Sequence, residues 1–224
     1  MGNWLRRNHV AIAVATAQGI LALAILQFGH EGPLPLHFGL DGQVDRFGDR
    51  GQVALVVGSI ALLSLVGGAG FRPLMQRKGD ASGERNLSVA VMLLLTVTSL
   101  VCALFAAIGF GLLAPEQIGG KALMAVIAAA VAAAGADLGK VSPNPLLGVR
   151  TPWTYASRLS WDKSNRLAGR LFLWTGVAGF VAAPLAPQPL GVQVLIGAML
   201  VIAAVVVFES WRVWRSDADR NGAF

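Results

Sequence analysis

Two segments hold nearly all the side chains with recognition chemistry. The first runs from Lys140 to Arg166, KVSPNPLLGVRTPWTYASRLSWDKSNR, with two tryptophans, five Lys or Arg and a single acid. Ser142-Pro143-Asn144-Pro145 forces an extended, kinked path. Gly148 permits close approach or positive φ. Arg150 stands beside Thr151-Pro152-Trp153-Thr154, where a guanidinium can cap carbonyls, pair with a carboxylate or stack on indole. Arg150 therefore either caps the fourth helix or holds the loop against the bundle, or else helps form a pocket for a peptide, a lipid headgroup or a protein partner. Trp153 and Trp161 suit interfacial anchoring or a ligand platform, on a short interfacial helix from about Tyr155. Lys163, Arg166 and Arg170 suit contact with anionic membrane lipid.

The second segment is Gly29 to Gly51. His37, Asp41, Asp45 and Asp49 recur every four residues, with His30 and Glu31 nearby. On a helix they would share a face, and imidazole with carboxylates can hold a divalent metal. Gly39, Gly42 and Gly48 argue against a helix, and Asp41-Gly42 is a turn signal. Turn and surface chemistry is the preferred reading, and neither a metal nor a cofactor is expected. Four acids against Arg46 and Arg50 make the segment anionic, which suits a cationic peptide.

Catalytic signatures are missing. There is no HExxH, GxSxG or phosphate-binding loop. Asp137 and Glu209 lie near span ends, where Lys140 and Arg212 can pair with them. Ser64, Ser88 and Ser99 have no recognisable base and read as packing hydroxyls. The expected protein is not an enzyme.

The elements that position these segments are membrane helices. Hydrophobic residues make up 55% of 224, charged residues only 13%, and mean hydropathy is +0.63. Soluble domains carry about twice that charge. Cys102, the single cysteine, reads as a small core hydrophobe. The net charge of +6 reads as a topology signal, with no direct role in binding nucleic acid. Runs of roughly 20 apolar residues cross a bilayer as helices. Such spans are expected at about residues 9–28, 52–74, 87–113, 122–138, 167–186 and 192–213. The fourth is rich in alanine, which favours close helix packing. The expected fold is an all-α bundle of about six transmembrane helices. Its parts are an N-terminal hairpin of helices (1–76) with an outer polar loop (29–51), and a four-helix domain (87–224) with a motif loop (140–166).

Both termini are expected in the cytoplasm, with no cleaved signal peptide. That arrangement places 15 Lys or Arg inside and only Arg46, Arg50 and Lys121 outside, as the positive-inside rule requires. The localisation it implies is the bacterial cytoplasmic membrane.

The block Pro143-Asn144-Pro145-Leu146-Leu147-Gly148-Val149-Arg150-Thr151-Pro152-Trp153-Thr154, followed by Trp161 and Arg166 to Gly169, resembles the SdpI family of bacterial membrane proteins. The family pattern is close to PNxxxGIRTPWT, then a tryptophan, then a Thr-His-Arg ending. Here that ending reads Ser164-Asn165-Arg166, which removes the histidine's proton, and Asp137-Leu138-Gly139 replaces an Asn-rich entry. His37, Gly42, Asp45, Gly48 and Arg50 also look like a pattern that commonly precedes the SdpI part.

The resemblance implies an immunity protein that protects a cell from a toxic peptide and recruits a cytoplasmic repressor on sensing it. On this reading, partner contacts involve Asn144, Gly148, Arg150, Thr151, Pro152, Trp153, Thr154, Trp161 and Arg166. Peptide sensing involves His37, Asp41, Asp45 and Arg50. Other readings are a small-solute or lipid transporter using Gln18 and Asp137, a membrane metallopeptidase using the outer histidines and acids, and an accessory subunit of a membrane complex.

Overall fold

The structure is a computed structural model that describes residues 2–39, 43–70, 81–113 and 118–220. Asp41 and Gly42 lie outside the described residues. The chain opens with α1 (Gly2–Phe28), then a hairpin of β1 (Leu34–Phe38) and β2 (Val44–Gly48). Next comes α2 (Arg50–Leu65), continued by a π-helical turn over Val66–Gly70. The remaining helices are α3 (Ala81–Gly109), α4 (Leu123–Leu138) after a π-helical turn over Ile118–Ala122, α5 (Pro152–Ala156), α6 (Arg158–Ala182) and α7 (Leu190–Ser216).

The all-α membrane bundle expected from composition is the observed architecture. Among the described residues, five helices are long and apolar enough to cross a bilayer: Asn8–Phe28, Arg50–Gly70, Gly83–Gly109, Gly119–Leu138 and Leu190–Ser216. The segment expected as the fifth of six spans belongs to α6. Arg158, Asp162, Lys163, Arg166 and Arg170 make the first half of that helix too polar to join the five. At 25 residues α6 is still about 37 Å long, and it packs lengthwise on α4 and α7.

Small residues set the α4–α6 crossing. A Cβ on Gly135 would lie 2.3 Å from the Leu173 nitrogen and 2.8 Å from the Gly169 carbonyl oxygen. One on Gly176 would lie 2.4 Å from the Ala132 nitrogen. The two backbones are in contact there, the arrangement small residues allow where lipid supplies no hydrophobic drive between helices. Ser64 donates to Thr98 at 2.9 Å, a buried bond between α2 and α3.

The loop expected to face outward carries a β-hairpin. Its strands pair antiparallel, Leu34 opposite Gly48 and Phe38 opposite Val44, with a bulge on either side of His37. Leu34, Leu36 and Phe38 alternate inward onto a core of Ala22, Ile25, Val53, Val57 and Ile108. A Cβ on Gly48 would lie 2.0 Å from the Gln52 amide oxygen and 2.2 Å from a Leu36 methyl, so a larger residue there would have to displace both side chains. The hairpin feeds directly into α2, where Asp49 and Gln52 form a reciprocal capping box.

Candidate functional site

The motif segment starts where α4 ends. Asn144 builds its first half. Its amide oxygen accepts from the Leu146 and Leu147 nitrogens at 2.7 and 2.8 Å, and its amide nitrogen donates to the Ser142 and Leu147 carbonyls. All of its hydrogen-bonding capacity is spent inside the loop, which explains an asparagine between two prolines that cannot donate. Asn86 on α3 holds the loop from the other side. It accepts from the Ser142 nitrogen at 3.0 Å and donates to the Ser142 carbonyl at 3.2 Å.

The second half closes on Trp161 and Asn165. Trp161 is 0% exposed, and its indole N–H donates to the Val141 carbonyl at 2.9 Å. Asn165, 1% exposed, accepts from the Val149 nitrogen at 2.8 Å and donates to the Trp161 carbonyl at 2.9 Å. Gly148 bridges these groups at φ 118°, where a Cβ would meet the Asn165 oxygen at 2.8 Å and the indole at 2.9 Å. Only glycine meets both demands. Arg150 donates to the Pro145 carbonyl, so it holds the loop to itself and does not cap α4.

Thr151-Pro152-Trp153-Thr154 forms a capped turn. Thr151 is the N-cap of α5, Pro152 takes the first helical position, and Thr154 closes a reciprocal box. The buried Thr154 hydroxyl also donates to the Val149 carbonyl at 2.9 Å. Trp153 donates to the buried Ser210 hydroxyl on α7, and Ser160 donates to the Ser210 carbonyl at 2.7 Å. Ser157 caps α6 and donates to Asp217.

The expectation of two tryptophans near the headgroups is corrected for Trp161, whose ring is enclosed and stacks against Tyr155 at 5.8 Å between centroids. Trp161 serves as the core of the motif and offers no ligand platform. The short helix expected from about Tyr155 is observed as α5 and the start of α6, and because Ser157 caps α6 at Arg158 it runs on unbroken into the expected fifth span. The structure brings Asn144, Gly148, Arg150, Thr151, Pro152, Trp153, Thr154 and Trp161 together. Arg166 instead points into a groove with Lys140 and Arg170. The network also contains Asn86, Ser160, Asn165 and Ser210, none of which was singled out as a site from sequence. Their signal is weak, because serines and asparagines near helix ends carry no motif of their own.

At the hairpin, the exposed His37 ring pairs with Asp45 at 2.7 Å. Arg50 reaches Glu31 at 3.4 Å and the Gly29 carbonyl at 3.4 Å. Asp49 is spent on its cap. Asp137 and Glu209 pair with Lys140 and Arg212, at 2.9 and 2.7 Å. The hairpin packs near Ile25 of α1, and the motif loop places Leu146 beside Ala11 of the same helix. About 20 Å of helix axis separates those two levels, so the two segments lie at opposite ends of the bundle.

The family model described as the SdpI/YfhL protein family matches residues 140–210, from the start of the motif loop to Ser210. No curated protein and no solved structure matches the chain.

Proposed function

We propose, from the premise that this chain is an SdpI/YfhL family membrane protein through residues 140–210, that it protects its cell against a membrane-active peptide. It acts without chemistry, as a multi-pass protein of the bacterial cytoplasmic membrane. The observation that carries this reading is how the motif is used. Its polar side chains are spent on one another and on Ser210, leaving a rigid surface on which Pro145, Arg150, Pro152, Tyr155 and Arg158 are exposed. A preordered surface suits protein docking because little conformational entropy is lost on binding.

In this proposal the motif surface faces the cytoplasm and takes a protein partner, such as a repressor held at the membrane. The hairpin faces outward, and its acids, with Phe47 exposed beside them, meet a cationic peptide. The test is killing by a panel of membrane-active peptides, in cells with and without the gene. Lower survival without it is expected for at least one peptide. Equal survival across the panel counts against protection.

Gln18 favours a second reading, passage of a small solute. It is 5% exposed in the middle of α1, and neither amide atom has a hydrogen-bond partner among the described residues. Unpaired polar groups at that depth are costly and often functional. Solute flux in proteoliposomes that is lost in Gln18→Leu would support it, and no flux would remove it.

A further inference from the structure

A cationic groove lies beside the motif surface and takes no part in its network. Lys140 stands on one wall, just past α4, while Arg166 and Arg170 stand on the other, one turn apart on α6. The groove is open and encloses about 490 Å³. Its floor is Gly135, Gly139 and Gly169, so helix backbone replaces side chains there. A Cβ on Gly139 would come within 3.5 Å of the Arg166 Cα, narrowing the mouth.

The two arginines are not balanced from within, whereas Lys140 has its own acid. Asp137 is taken by Lys140 at 2.9 Å. Arg166 and Arg170 form no ion pair among the described residues, although Asp162 is one turn from Arg166. Like charges at i and i+4 repel on a helix, so a site that keeps both without an acid is suited to an anion from outside. Ala136 and Leu173 supply apolar lining next to the charged mouth. The groove also lies where the apolar run of α4 ends, the level at which a membrane-crossing helix meets the headgroups.

We propose that this groove binds an anionic phosphate, either the headgroup of an anionic phospholipid or a soluble phosphate ester. The two guanidinium forks match phosphate oxygens bidentately and Lys140 adds a point charge. For a phospholipid, the acyl chain descends along Ala136 and Leu173. This site is separate from the protective role, and its test does not depend on that role.

The experiment is native mass spectrometry of the full chain in detergent, titrated with phosphatidylglycerol, phosphatidylcholine and glycerol phosphate. Phosphatidylglycerol is expected to bind in preference to phosphatidylcholine. The double variant R166Q/R170Q is expected to weaken that binding by roughly tenfold or more. The double variant R215Q/R220Q removes the same charge outside both the groove and the motif surface, and is expected to leave binding unchanged. Ala136→Trp, which fills the groove and keeps its charges, is expected to abolish binding. Strong binding of glycerol phosphate alone would identify a soluble phosphate as the ligand, and binding only with acyl chains would identify a lipid. Equal binding of the two lipids with no binding of glycerol phosphate, equal loss in both double variants, or full binding by Ala136→Trp would each overturn the proposal.

Discussion

Asn165 stands where the SdpI pattern that the motif resembles has histidine, one of several departures, and the geometry says what this one preserves. The side chain must accept one bond, from the Val149 nitrogen, and donate one, to the Trp161 carbonyl. A neutral histidine also offers one acceptor and one donor. Asparagine therefore keeps the hydrogen bonds and gives up the ring's titration. Asn165→His is expected to unfold within about 1 kcal/mol of the parent, because it can refill both bonds. Asn165→Leu leaves the Val149 nitrogen without its acceptor and is expected to cost about 2 kcal/mol. Thermal unfolding of the purified chain in detergent measures both, and a histidine variant as damaged as the leucine variant would contradict this account.

Gly148 supplies a second prediction at the same scale. Alanine there meets both an unfavourable φ and the indole of Trp161. Gly148→Ala is expected to cost about 2 kcal/mol or more, and the same unfolding experiment reads it.

Among the elements, the α4–α6 pair is the most tightly fitted. Gly135 and Gly169 let the two backbones touch, and there is no flexible side chain at that point to move aside. Gly135→Ala is expected to destabilise by about 1–3 kcal/mol through overpacking. Gly197 on α7 provides the contrast, since nothing lies within 4 Å of a Cβ built there. Gly197→Ala is expected to be neutral or to stabilise by up to about 1 kcal/mol through helix propensity. Comparing their unfolding temperatures separates packing from propensity.

The hairpin is the element that the reading of the sequence passed over. Leu34, Leu36 and Phe38 alternate, and Asp41-Gly42 follows as a hairpin turn signal. The four-residue spacing of His37, Asp45 and Asp49 suggested a helical face, the glycines argued for a turn instead, and the strands on either side of that turn were not read. The structure divides those three residues between a strand pair and a cap.

For the whole molecule, the separation of hairpin and motif loop to opposite ends of α1 leads to a prediction about topology. In a Cys102→Ala background, Phe47→Cys and Pro145→Cys each place a single exposed thiol at one end. A membrane-impermeant maleimide applied to intact cells is expected to label the Phe47→Cys variant alone. Labelling of Pro145→Cys would reverse the proposed orientation and move the partner surface outside the cell.

Much of this was legible in the chain itself. Long apolar runs with few charges can be satisfied only in lipid, and backbone hydrogen bonding in lipid leaves helices as the way to cross. That reasoning needs no partners, so the bundle followed from composition and spacing. Pro143, Pro145, Gly148 and Pro152 likewise announced a bent loop through their own backbone restrictions. The motif's interior did not follow. Whether Trp161 faces headgroups or the protein depends on Val141, twenty residues earlier. Whether Ser210 is a packing hydroxyl or a hub depends on Trp153 and Ser160. Those are meetings between residues distant in the chain, set by how α4, α6 and α7 cross, and local sequence holds no record of them. The tertiary structure alone decided that the tryptophan is a core, that Asn86 and Asn165 hold the loop from either side, and that Arg166 leaves the motif for the groove.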